Sequence, residues 1–237
     1  MQKISTTMET AAKLLSNPKL KCVIFDMDGV IYDSMPFHAT EWVKCLQDCG
    51  IPFTEREVYL NEGRTGKSTI ELAFRKYLKR EATEHEIKTI YQTKIDSVQN
   101  YPDAPFMHAI NELIFDLQQD GIATWVVTGS QQPSLLQRLT SVLNIPQDQI
   151  VSAKDVIHGK PHPEPYLLAL QRSGYHADEC VVIENAPLGV QSARAALIST
   201  IAVNTGLLDK SDLANADANV VLSSIKELFD AYQSIRK

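Results

Sequence analysis

The sequence predicts an α/β fold, a doubly wound parallel sheet interrupted by an inserted block of helices. Three observations carry that expectation. Short apolar runs of strand length alternate with segments of helical periodicity through most of the chain. The rhythm lapses between Phe37 and Tyr101, where helical spacing continues without a strand-like run. Lastly, the residues best able to do chemistry lie just beyond the ends of the predicted strands, where parallel sheets place ligands.

Lys21–Phe25 reads as a buried strand ending at Asp26. Ile110, Leu113, Ile114 and Leu117 mark one face of a helix stopped by Gly121, and Ala123–Val127 is the next strand. A helix over Pro133–Leu143 and a short strand at Ile150–Ser152 follow, then a helix over Pro165–Ser173 closed by Gly174. Cys180–Ile183, Thr200–Val203 and Asn219–Leu222 read as strands, with an alanine-rich helix over Leu188–Leu197 between the first two. Ser224-x-x-Glu227 has the form of a capping box opening the last helix. Within the insert, Thr83-x-x-Glu86 is another such box, and Ser68–Leu78 is expected as one helix. The predicted organisation is therefore a helical extension over 1–20, an α/β core from 21–36 and 102–237, and a helical cap over 37–101.

With 237 residues, 44% hydrophobic and 22% charged, the chain has globular composition and length enough for a large core. Its 23 basic and 29 acidic residues give a net charge of −6, which disfavours nucleic acid as a partner. No segment has the apolar length of a signal-peptide core or a membrane span. The four cysteines form no disulfide or metal-ligand pattern, and Cys45 and Cys49 read as incidental thiols. A cytoplasmic monomer with no membrane partner is expected.

Four groups carry chemistry. In FDMDGVIYDS, Asp26 and Asp28 stand two residues apart beside Gly29. One carboxylate can attack phosphorus, its neighbour can move the proton of the leaving oxygen, and Gly29 lets backbone N–H groups approach phosphoryl oxygens. The mundane reading is a polar turn at a strand end. In WVVTGS, the hydroxyl of Thr128 precedes Gly129 and Ser130 at a strand-to-helix turn, a phosphate cradle or an ordinary helix cap. In GKPHPEPY, three prolines fix the approach of Lys160 to the next helix; a lone lysine is usually solvated. In VVIENAPLG, Glu184 and Asn185 end a strand with oxygen ligands suited to Mg²⁺, or Asn185 caps a helix.

In order and spacing these motifs resemble the haloacid dehalogenase superfamily, and within it the β-phosphoglucomutase-like group with a helical cap on a Rossmann-like core. The resemblance runs from about Lys21 to the C-terminus. It implies that Asp26 is the nucleophile of an aspartyl-phosphate and that Asp28 is the general acid/base. It also implies that Thr128 and Lys160 hold the phosphoryl group, while Mg²⁺ is bound by Asp26, Asp28, Glu184 and Asn185. His38 and Trp42 match a cap-hinge H-x-x-x-W, with Trp42 also explicable as core.

Two departures bear on the substrate. Where the family has Glu-Asp, this chain has Glu184-Asn185, one negative charge fewer at the metal. Glu62, in the LNEGRTGKST cap loop, is the carboxylate that can replace it, although on position alone it also reads as a surface side chain. Arg64, Lys67 and Lys94 would supply cap cations. With MPFH, these features look like a subgroup that hydrolyses inorganic pyrophosphate. The other departure, Met107-His108-Ala109 in place of a Pro-Gly turn, is expected to alter only the linker returning from the cap. The expected activity is a Mg²⁺-dependent phosphohydrolase acting on pyrophosphate or a small phosphate ester. The alternatives are a β-phosphoglucomutase and a sugar-phosphate phosphatase. A 2-haloacid dehalogenase would need neither Asp28 nor the phosphate cradle, and an idle binding protein would not need four competent motifs.

Overall fold

In the computed structural model, residues 6–98 and 103–236 are described. Six strands form one parallel sheet: β1 (Cys22–Phe25), β2 (Ala123–Val127), β3 (Ile150–Val151), β4 (Cys180–Glu184), β5 (Ser199–Val203) and β6 (Val220–Leu222). Their spatial order is β3-β2-β1-β4-β5-β6. The chain first steps outward from β1 and then returns to its other side with β4. The carboxyl ends of β1, β2 and β4 therefore meet at the point where strand order reverses.

Side-chain alternation builds a core on each face of the sheet. Val23, Phe25, Val126, Val181, Ile183 and Ile201 face α1 (Thr6–Leu15), α6 (Ile110–Gln119), α7 (Pro133–Ser141) and α11 (Ile225–Gln233). Cys22, Ile24, Trp125, Val127 and Val182 face α8 (Glu164–Ser173) and α9 (Pro187–Ala195). Burying each such aliphatic or aromatic side chain contributes roughly 1.5–3 kcal/mol. Helix α1 sets Ala11 and Leu15 into the first core and packs on α11 and the edge strand β6.

Helices α2 (Met35–Gln47), α3 (Glu55–Leu60), α4 (Gly66–Ala73) and α5 (Glu84–Val98) surround an apolar cluster of their own. No strand interrupts them among the described residues. Residues 99–101 of the expected insert and Pro102 beyond it lie outside the described residues. The helices leave and rejoin the sheet side by side: Asp33 N donates to Pro105 O, and Met107 N to Ile31 O. Ala109 then adopts φ 69°, the left-handed conformation that glycine usually serves.

Several boundaries differ from expectation. Helix α2 starts at Met35, because Pro36 is accommodated in its first turn instead of marking an edge. The single helix expected over Ser68–Leu78 starts at Gly66, where Thr65 caps Ser68 N, and winds as a π-turn over Phe74–Leu78. The box at Ser224 is only half formed: Ser224 accepts from Glu227 N, while the Glu227 carboxylate accepts from Ser223 N. The box at Thr83 is complete. Helices α3 and α10 (Lys210–Ala214) had no separate expectation; six and five residues give little periodicity to read.

Candidate active site

Asp26 follows β1 directly, and its N–H extends the ladder to Ile183 O. Its Oδ1 accepts from Lys160 Nζ at 2.5 Å. The same ammonium reaches Glu184 Oε1 at 2.6 Å and Val127 O at 3.2 Å. Lys160 is thus a buried cation at the tips of three strands. Burial alone would lower its proton affinity, but Asp26 and Glu184 outweigh that and hold it well above the ordinary lysine range. Burial pushes the Asp26 carboxyl up to about 8; Lys160 opposes the shift, while Glu184 and Asp28 add to it.

Asp28 faces the inserted helices. Ser34 Oγ donates to its Oδ1 at 2.6 Å, and His38 Nε2 lies 3.3 Å from the same oxygen. On the far side of the imidazole, Lys94 Nζ is 2.8 Å from Nδ1. Burial, then the Lys94 charge, lowers the His38 pKa. A neutral ring accepting at Nδ1 and donating from Nε2 satisfies both neighbours. Burial also brings Lys94 down to about 8, beneath the Trp42 ring at 5.5 Å. Burial pushes the Asp28 carboxyl up, yet His38, Ser34 and Lys94 together leave it below its ordinary value.

The loop after α3 carries Glu62 into the core. Both carboxylate oxygens lie 3.3 Å from Asn185 Nδ2. Burial and the charges of Asp26, Glu184 and Asp28 raise the Glu62 carboxyl well above its usual range. Its neighbour Gly63 has φ 88°, and a Cβ there would stand 2.7 Å from Lys160 Cδ. A Cβ on Gly129 would in turn stand 3.2 Å from Gly63 O. These glycines permit the close approach of the insert's loop to two core loops. Gly29, at φ 76°, similarly leaves space for the Asn185 amide.

Thr128 Oγ1 accepts from Ser130 N at 2.9 Å, which shapes the turn after β2. Ser130, Gly129, Arg64, His38, Lys94 and Trp42 line a cavity of about 140 Å³ beside Asp28 and Glu62. Arg64 is held by Asn61 Oδ1 at 3.0 Å and Ser68 Oγ at 3.3 Å. Lys67 points elsewhere, pairing with Glu84 at 2.9 Å on the surface. Asn185 does not cap α9, because the cap position is Ala186.

The structure thus gathers Asp26, Asp28, Thr128, Lys160, Glu184, Asn185 and Glu62 at one point, with Gly29 against Asn185. Gly129, Ser130, His38, Arg64 and Lys94 line the adjoining cavity, while Lys67, expected as a cap cation, lies outside it. Sequence reasoning missed Ser34 and Tyr166. Tyr166 OH donates to Glu184 Oε1 at 2.7 Å, while Glu184 Oε2 accepts from Asn185 N and Ala186 N. No periodicity flags Tyr166. Ser34, a hydroxyl six residues beyond Asp28 and just before a helix, was the more findable of the two.

A cation fits this hollow. Asn185 Oδ1 is buried without a hydrogen-bond partner among the described residues, and the charges of Glu184 and Asp28 add to the raised proton affinities of Asp26 and Glu62. Oxygen-rich, negatively charged surroundings suit a hard divalent ion. No three His, Cys, Asp or Glu side chains among the described residues form a metal cage by themselves. Amide or carbonyl oxygens must complete any ligand set.

A strand-order reversal bearing an aspartate pair, a buried lysine and a hydroxyl turn is an arrangement able to hold a phosphoryl group at the tips of a parallel sheet. Residues 20–196 match the haloacid dehalogenase-like hydrolase family, and the chain belongs to it. A β-phosphoglucomutase candidate of solved structure from Bacteroides vulgatus is 42% identical, with TM-score 0.88 over 97% of this chain and 98% of that one. The fructose-1-phosphate phosphatase YqaB of Escherichia coli is 29% identical across 76% of this chain and 95% of its own length. The pyrophosphatase PpaX of Oceanobacillus iheyensis is 23% identical across 88% of this chain and 95% of its own. No helix among the described residues is long and apolar enough to cross a membrane.

Proposed function

We propose that this hydrolase is a Mg²⁺-dependent phosphohydrolase that works through an aspartyl-phosphate on Asp26, with inorganic pyrophosphate or a small phosphate ester as substrate. Asp26 attacks phosphorus as the bond to the leaving oxygen breaks, and Asp28 delivers a proton to that oxygen. Water then attacks the aspartyl-phosphate, gives its proton to Asp28, and releases phosphate and free Asp26. Lys160 and the Thr128 turn hold the phosphoryl oxygens in line. Asp28 is ionised in the ligand-free site, as a base requires, and an arriving phosphate dianion raises its proton affinity for the acid step. Asp26, the Asp28 carbonyl, Asn185 and Glu62 would hold a divalent cation, which when bound neutralises charge on the transferring group. Glu184, expected as a further ligand, instead orients Lys160, since Lys160 and Tyr166 engage its Oε1 and two backbone N–H groups its Oε2. Residues 37–101 act as a cap over this chemistry.

The observation that carries the substrate reading is Glu62, a half-buried carboxylate brought against Asn185 by the cap loop. It repels a bulky anionic ester but serves a metal-bound substrate that brings its own charge. A second reading rests on Met35, Trp42, Val58 and Ile95, which give the cavity apolar walls. Such walls suit an organic leaving group, and fructose 1-phosphate is what the Escherichia coli relative is named for acting on.

A substrate panel tests this. Pyrophosphate, fructose 1-phosphate and β-glucose 1-phosphate are compared with and without Mg²⁺. Mg²⁺-dependent phosphate release from pyrophosphate is expected. Release from the sugar phosphates alone would favour the second reading, and glucose 6-phosphate formed from β-glucose 1-phosphate would make the protein a mutase.

A further inference from the structure

The loop from Asn204 to Asp209 between β5 and α10, with the first turn of that helix, belongs to none of the four motifs. Yet it touches both the catalytic turn and the helix that delivers Glu62. Thr205 Oγ1 donates to Gly29 O at 2.6 Å, and so holds the Gly29–Val30 peptide, one residue beyond Asp28. Next in the chain, Gly206 lies under the ring of Tyr59: a Cβ on Gly206 would stand 2.5 Å from Tyr59 Cε1. Leu208 is buried within the apolar cluster of α2–α5 rather than in the core of the sheet. Asp212, in α10, receives both terminal nitrogens of Arg56 at 3.0–3.2 Å. Its carboxylate is also fixed by Asp209 N.

Arg56 and Tyr59 both belong to α3, and Glu62 begins two residues beyond that helix, its N–H directed to Tyr59 O. One short segment therefore grips the catalytic turn at Gly29 and, through three separate contacts, the cap that carries Glu62. We propose that residues 204–212 are a strap that sets the register between the Asp28–Gly29 turn and α3, with Thr205 as a positioning residue for the reaction. The Thr205 hydroxyl fixes the turn, and the seating of Tyr59, Leu208 and Arg56 fixes the hydroxyl. Cap closure and the aim of Asp28 are thereby one event. This rests on the reading of Glu62 and Asp28 given above.

The test uses Thr205→Val, Thr205→Ser, Arg56→Ala and the Thr205→Val/Arg56→Ala pair. All are made in a Trp125→Phe background, so that Trp42 reports on the cap. With the best substrate of the panel, Thr205→Val should lower kcat about tenfold and leave KM within about twofold, and Thr205→Ser should recover most of the loss. Arg56→Ala should raise acrylamide quenching of Trp42 about twofold without any substrate present, because the cap opens more often. The double variant should depart from additivity in kcat/KM by about threefold or more. Should Thr205→Val fail to fold, Gly206→Ala presses on Tyr59 from the other side of the strap and should raise Trp42 quenching in the same way. Equal impairment of the Ser and Val variants would overturn the proposal, as would additive effects or unchanged quenching in both Arg56→Ala and Gly206→Ala. The quenching arms need no turnover, so an error in the proposed substrate leaves them standing and a failure of the strap is seen separately.

Discussion

Asp26 and Asp28 share a turn but meet different surroundings. Burial, Glu184 and Asp28 keep the proton affinity of Asp26 high, while His38, Ser34 and Lys94 leave Asp28 the readier to ionise. Asp26→Asn should abolish turnover in a steady-state phosphate-release assay, because an amide cannot attack phosphorus. More than about a hundredth of the wild-type rate would contradict the covalent route. Asp28→Asn should lose about 10²- to 10⁴-fold through proton transfer. Glu62→Ala should impair pyrophosphate hydrolysis strongly, and Asn185→Asp should partly restore it by returning a carboxylate to the metal site. Independent, additive effects of the two changes on kcat/KM would show that these positions do not share a cation.

At the scale of elements, the N-terminus of α3 decides how firmly the helix before Glu62 is held. Thr54 and Glu57 form a complete capping box, and the Glu57 carboxylate also receives Lys76 Nζ and Tyr77 OH at 2.6 Å each from the π-turn. Burial works against ionisation of Glu57, but these donors hold its pKa at about 2, against an ordinary 4.5. A depressed carboxylate stabilises the fold above the unfolded-state value and loses that contribution as pH falls through the folded one. Glu57→Gln should therefore cost about 1–2 kcal/mol at pH 7, the half-exposed lysine screening part of the larger shift. Urea unfolding should show the gap to wild type narrowing between pH 4.5 and 2; a gap that persists at pH 2 would remove Glu57 ionisation as its cause. The loop after α3 tolerates no side chain at Gly63, where φ is 88° and Lys160 is in contact. Gly63→Ala should lower kcat/KM about tenfold or more with little change in the folded sheet, visible as retained circular dichroism.

For the whole molecule, the loop after α3 sets Glu62 in a hollow that also holds Asp26, Asp28 and Glu184, with Lys160 between two of them. A divalent ion binding only this closed, folded state must raise thermal stability by mass action. The melting temperature should rise with Mg²⁺ and fall on chelation with EDTA. Glu62→Gln should shrink that rise while leaving the metal-free melting temperature unchanged or higher, since it removes a repelled carboxylate. A Mg²⁺ response identical in Glu62→Gln would take Glu62 out of the metal shell.

The sequence by itself determined the alternation of strand and helix, the two-sided burial of strands such as Cys22–Phe25, and the motif residues that converge at the sheet's reversal point. Those features follow from local periodicity and from the rule that ligands gather beyond parallel strand ends. What only the tertiary structure decided are contacts between residues far apart in the chain. Tyr166 on Glu184 and Thr205 on Gly29 arise from packing and leave no spacing signal, whereas the approach of Glu62 to Asn185 was expected, but only through the family resemblance. The same holds for the partition of Ser68–Leu78 into helix and π-turn, where Phe74 and Tyr77 turn toward the cap cluster and Glu57. A one-dimensional pattern records which face is apolar. It does not record which distant glycine lets another loop come close enough to complete the site.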